Sequence, residues 1–134
     1  MNTFSLKIVT PDGVEYDGPA EELVVRTITG DLGILAGHTN CVAPLGMGMA
    51  AVKIDGEKRY GACIGGMVSV LNGEVKLVPT TFEWADKIDI ARVALSEERA
   101  KQVISNKSAS DTDLRLAEAR LKRALIRKSV AQYK

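Results

Sequence analysis

The chain has 134 residues, with 18 basic and 17 acidic side chains, one His, two Cys and 46% apolar residues. That is the composition of one folded domain, or of a small domain with an appendage, and it excludes a disordered, collagen-like or disulfide-stapled chain. No apolar run approaches the ~20 residues that cross a bilayer, and Met1–Lys7 does not read as a secretory leader, so a reducing compartment is expected. From the start of the chain, Phe4, Leu6 and Ile8 alternate with the period of a half-buried strand, which Pro11-Asp12-Gly13 ends with turn chemistry. Glu22–Thr27 is a β-branched strand candidate. Met49–Ile54 and Tyr60–Ile64 flank Asp55-Gly56, and Met67–Leu71 and Glu74–Val78 flank Asn72-Gly73. Both dipeptides tolerate the positive φ that a two-residue hairpin turn demands. All 12 glycines precede residue 74. The spacing predicts a β-sandwich or flattened barrel over residues 1–85. Val, Ile, Leu and Met fill its core; Met47 and Met49 are read first as core residues and second as lining a subunit contact.

The remainder, 86–134, reads as two helices. Asp89 to Ser105 contains no Gly or Pro, and Asp89 suits the cap. Ala91, Ala94, Leu95, Ala100, Val103 and Ile104 form a modest apolar stripe. Ser105–Ser110 is a polar linker, and Ser110 to Asp113 resembles a capping box. Leu114, Ala117, Leu121, Ala124 and Leu125 then recur at helical spacing. The short linker implies an antiparallel helical hairpin. The fold class is α+β by parts, an all-β unit followed by this hairpin.

The net charge of +1 hides a division. Residues 1–84 carry six basic and ten acidic groups, a net −4, whereas residues 85–134 carry twelve and seven, a net +5. A basic hairpin suits an acidic protein, a phosphate ligand, nucleic acid or a membrane surface, and a solvated helix face is the plainer reading. There is no Gly-x-x-x-x-Gly-Lys loop, no zinc-ligand spacing and only one His for acid–base work. The chain therefore reads as a binding or structural protein and not as an enzyme. Met47 and Met49 aside, Gly30, Gly33, Gly65 and Gly66 are expected to serve the backbone, through positive φ or close packing.

Five segments carry a family resemblance. Thr29-Gly30-Asp31-Leu32-Gly33-Ile34-Leu35-Ala36-Gly37-His38-Thr39 closely resembles a segment of the epsilon subunits of bacterial F-type ATP synthases. Val9–Gly13, Ile64–Val70, Ile88–Arg92 and Leu121–Ala124 resemble further segments of that family, in the same order. The resemblance runs from about residue 4 to about residue 131. It implies a non-catalytic central-stalk subunit, whose sandwich (1–85) binds the gamma subunit and the proton-driven c-ring. It also implies a regulatory hairpin (86–134) that inhibits ATP hydrolysis by reaching the alpha and beta subunits. Asp31, Leu32, Gly33 and His38 would then face gamma and the c-ring, with His38 shaping a loop after Gly33 and Gly37. Arg115, Arg120, Lys122, Arg123, Arg127 and Lys128 would meet acidic segments of beta. No cofactor is obligatory. ATP is implied as a regulatory ligand at Glu83, Ile88, Asp89, Arg92, Arg123 and Arg127, although Val93 stands where the family motif has Ala. The expected location is peripheral, on the cytoplasmic face of a bacterial plasma membrane, held there through the complex.

Two other readings rest on the basic hairpin alone. A nucleic-acid binder would lack an aromatic stacking platform, since Tyr133 is the one aromatic residue after 84. A membrane-surface helix would lack the interfacial Trp or Phe.

Overall fold

The computed structural model describes residues 2–134. β1 (Phe4–Thr10) buries Phe4, Leu6, Ile8 and Thr10 and turns Ser5 and Lys7 outward, as the alternation requires. β2 (Gly13–Ala20) returns antiparallel to it, with a register shift at Ile8/Val9. β3 (Glu22–Thr27) and β4 (Gly30–Leu35) form the next hairpin. β5 (Cys41–Pro44), β6 (Met47–Ile54), β7 (Glu57–Ile64), β8 (Met67–Leu71), β9 (Glu74–Val78) and β10 (Thr81–Trp84) complete two five-stranded sheets. Their orders are β2-β1-β9-β8-β5 and β10-β7-β6-β3-β4. β1 pairs with β9 in parallel, so the first strand enters the sheet only once the chain has returned.

Asp55 and Asn72 adopt φ of 51°, followed by Gly56 at 79° and Gly73 at 81°. These are the tight turns expected for β6–β7 and β8–β9. Pro19 and Pro44 lie in β2 and β5, both edge strands, where a missing N–H costs no ladder bond. Leu6, Ile8, Leu23, Val25, Ile34, Val52, Val68 and Leu77 fill the space between the sheets. Phe82 and Trp84 meet edge to face at 4.9 Å beside them. The Trp84 indole N–H donates to the Glu15 carbonyl at 3.2 Å. Burial pushes the Cys63 thiol up to about 12.

A 3₁₀ turn at Ala85–Lys87 leads into α1 (Ile90–Ile104) and α2 (Asp111–Ala131). Asp89 caps α1 by accepting the Arg92 N–H at 3.1 Å, and Ser110 caps α2 by accepting the Asp113 N–H at 3.1 Å. The hairpin lies on the outer face of the β10-β7-β6 half of its sheet. A second apolar cluster fills that junction, made of Ala62, Ala85, Ile88, Val93, Ala124, Val130 and Ala131.

Four expectations need correction. Met47 is half-buried and Met49 is 37% exposed, because both belong to the outward set of β6 while Ala50 and Val52 point in. Gly33 is no turn glycine. It lies within β4 without positive φ, and a Cβ there would meet nothing within 4 Å. The stripe on α1 holds only in part: Ala100 is buried as expected, but Ala91, Ala94 and Leu95 are exposed and Val93 and Glu97 are buried in their place. On α2, small Ala117 and Ala124 make the buried contact and Leu125 is left exposed, since alanine lets a helix approach its neighbours closely. Gly30, Gly65 and Gly66 do carry positive φ.

Candidate functional site

Beneath the hairpin, a cavity of about 400 Å³ opens where β10, the 3₁₀ turn and both helices converge. β10 aims Phe82 and Trp84 into the core, so strand alternation turns Thr81 and Glu83 outward into this space. The start of α1 supplies Asp89, Arg92, Val93 and Ser96, and α2 supplies Ala124 and Arg127. Asp12 and Lys87 complete the wall. Arg127 Nε donates to Glu83 at 2.8 Å, the shortest ion pair between hairpin and sandwich among the described residues. Nε makes that bond, and the terminal guanidinium nitrogens keep their donors for a further acceptor. Thr81 Oγ1 is buried without a hydrogen-bond partner among the described residues. A cavity with two guanidinium groups, one ammonium group and three carboxylates has the chemistry to orient a phosphorylated ligand that also carries hydrogen-bond donors.

Glu83, Asp89, Arg92 and Arg127 thus come together. Ile88 is buried in the junction cluster behind them, and Arg123 is not among the lining residues. Val93 is 7% exposed and lines the cavity, so its methyl groups narrow the space next to Asp89 and Arg92.

The other expected surfaces lie apart. Asp31, Leu32 and Gly33 occupy β4, an edge strand at the side of the sheet away from β10. Asp31 pairs loosely with Arg26 at 3.4 Å, and Leu32 packs partly against the core. His38 follows β4, its Nδ1 2.8 Å from the Thr39 carbonyl oxygen. Along α2, Arg115, Arg120 and Lys122 are exposed and Arg123 is half-buried. Arg127 and Lys128 are already engaged, by Glu83 and by Glu97.

Two contacts escaped the sequence reading. Glu97 on α1 is buried and lies 3.3 Å from Lys101 and 3.5 Å from Lys128. The Lys101 hydrogen bond, with both ammonium charges, holds its carboxyl below the usual glutamate range. The i,i+4 spacing of Glu97 and Lys101 is a visible signal for half of that cluster. Tyr133 meets Tyr60 of β7 with ring centroids 4.7 Å apart and planes tilted by 40°, and a lone aromatic near the end of a helix signals no particular partner.

Among the described residues no helix is long and apolar enough to cross a membrane, and no group of three or more His, Cys, Asp or Glu is placed to hold a metal ion. Residues 3–85 match the family model described as ATP synthase, Delta/Epsilon chain, beta-sandwich domain. The ATP synthase epsilon chain of Bacillus velezensis is 42% identical over 131 residues, covering 98% of each chain. That of Ruminococcus albus is 38% identical over 135 residues, covering both chains completely. Among solved structures, a chain of the Euglena gracilis mitochondrial ATP synthase (OSCP/F1/c-ring) superposes with a TM-score of 0.82 at 23% identity, over 95% of this chain and 80% of that one. A chain of the Tetrahymena thermophila mitochondrial ATP synthase central stalk and c-ring gives 0.60 at 14% identity, over 95% of each. At such identities the likeness is one of fold.

Proposed function

Since the chain belongs to the ATP synthase delta/epsilon family, as an epsilon chain, we propose that it is a non-catalytic central-stalk subunit whose hairpin regulates ATP hydrolysis. In this reading the sandwich (1–85) binds gamma and sits on the c-ring, using Asp31, Leu32, Gly33 and His38 at the β4 end. The open space over Gly33 favours close approach of a partner's backbone there. The complex holds the subunit peripherally at the cytoplasmic face of the membrane and couples proton flow to rotation. Extension of the hairpin (86–134) brings its cations to alpha and beta and inhibits hydrolysis.

The observation that carries the regulatory reading is the Glu83–Arg127 pair at the cavity. Docking on the sandwich engages Arg127, and closure of the helices on each other engages Lys128, so two of the six cations assigned to beta are paired in the docked hairpin. ATP would favour docking by adding phosphate contacts to Arg92 and the terminal nitrogens of Arg127, with Asp89 or Glu83 accepting from the adenine amine. A ligand held only by the docked form stabilises that form by mass action.

The test is ATP hydrolysis by the cognate catalytic head stripped of this subunit, with the full chain or residues 1–85 added back. Both should bind, only the full chain should inhibit, and ATP should relieve the inhibition. Arg127→Ala should weaken ATP binding at least tenfold. Binding of both without inhibition would remove the regulatory role, and unchanged ATP affinity in the variant would remove the nucleotide site.

A further inference from the structure

A different cavity, of about 450 Å³, lies at the base of the hairpin and shares only Val93 with the one above. Its walls are apolar: Ile88 from the linker, Ile90, Val93 and Ala94 from α1, and Ala131 from α2. Ile90 is 52% exposed although it heads this wall. At one side stands a charged cluster of Glu97, Lys128 and Lys134, with the Glu97 carboxylate 3.5 Å from the Lys128 ammonium. One negative charge against two positive ones leaves the rim with a net positive charge. The volume falls within the ~300–1,000 Å³ of small-molecule sites.

We propose that this cleft binds a fatty acid, with its carboxylate at the Lys128 side of the cluster and its chain along Ile88, Ile90, Val93 and Ala94. The walls select the class. An alkyl chain needs no hydrogen-bond partner, whereas a peptide or nucleotide would bury polar groups against methyl groups. A neutral hydrocarbon would leave the cationic rim unused, and a cationic amphiphile would meet like charge. Since linker, α1 and α2 each supply part of the wall, the ligand fits only the folded hairpin and stabilises it. That consequence joins the regulatory reading above, but binding itself does not depend on it.

The experiment titrates the full chain with octanoate, decanoate and dodecanoate below their micellar concentrations, followed by amide chemical shifts. Affinity should tighten about fourfold per added methylene, as expected for methylenes leaving water. Shifts should concentrate at Val93, Ala94, Lys128 and Ala131, and decylammonium should bind at least tenfold more weakly than decanoate. Ala94→Phe should abolish binding by filling the cleft. Ile90→Asp is the second variant, an exposed first-turn site where an acid suits the helix but repels the ligand carboxylate. Equal affinity for decanoate and decylammonium, shifts centred on the sandwich, or undiminished binding in the folded variants would overturn the proposal.

Discussion

Glu97 shows how a single side chain can join two helices. Its carboxylate is buried on α1 yet reaches Lys101 on its own helix and Lys128 on the other. The lowered folded pKa fixes the sign of the pH dependence. The unfolded chain binds its proton first, so the stabilisation is complete above the ordinary glutamate value of about 4.3 and is lost as pH falls through the lowered folded value. Urea titrations followed by helical circular dichroism should therefore find Glu97→Gln less stable than the parent at pH 7. The difference should shrink as pH falls below that ordinary value. A difference that stays constant with pH would mean that the carboxylate contributes through packing alone.

Among the elements, the two glycine environments make opposite predictions. Gly66 has φ of 93°, and a Cβ there would land on the Val78 carbonyl oxygen and on Pro79. Gly66→Ala should cost about 3 kcal/mol or more, read as a lowered thermal midpoint. Gly33→Ala should change stability by less than about 0.5 kcal/mol, because the position is open and not strained. Loss of assembly in that stable variant would then report on the β4 surface. Strands with clear alternation and tight turns were readable: β1, β3, β8 and β9 fall where Phe4–Ile8, Glu22–Thr27, Met67–Leu71 and Glu74–Val78 put them. β2, β4, β5 and β10 were not delineated. Gly18, Pro19, Gly33 and Pro44 break their patterns, and β10 is only four residues long. The helix stripe was misread for a related reason. Leucines suggest a buried face by size, but the docked helices meet through Val93, Ala100, Ala117 and Ala124.

For the whole molecule, the question is how firmly the basic unit is held to the acidic one. The junction core is mostly alanine and valine, reinforced by the Glu83–Arg127 pair and the Tyr60–Tyr133 contact. Such a junction buries less area than the sandwich core, so its opening should be separable from global unfolding. In a cycle of Glu83→Gln, Arg127→Ala and the double variant, hydrogen exchange should show about 1 kcal/mol of coupling in α2 and none in β1, β8 or β9. Exchange in the parent α2 as slow as in those strands would show that the two parts open together. The sequence by itself determined the two-part plan, the tight turns, the helix caps and the charge division, because each depends on residues close together in the chain. Only the tertiary structure decided which face of each helix is buried, that Glu83 meets Arg127 across 44 positions, and where the cavities open. Those features arise when distant elements pack, and the helix periodicity here is too weakly amphipathic to choose a face before the sheet is there to receive it.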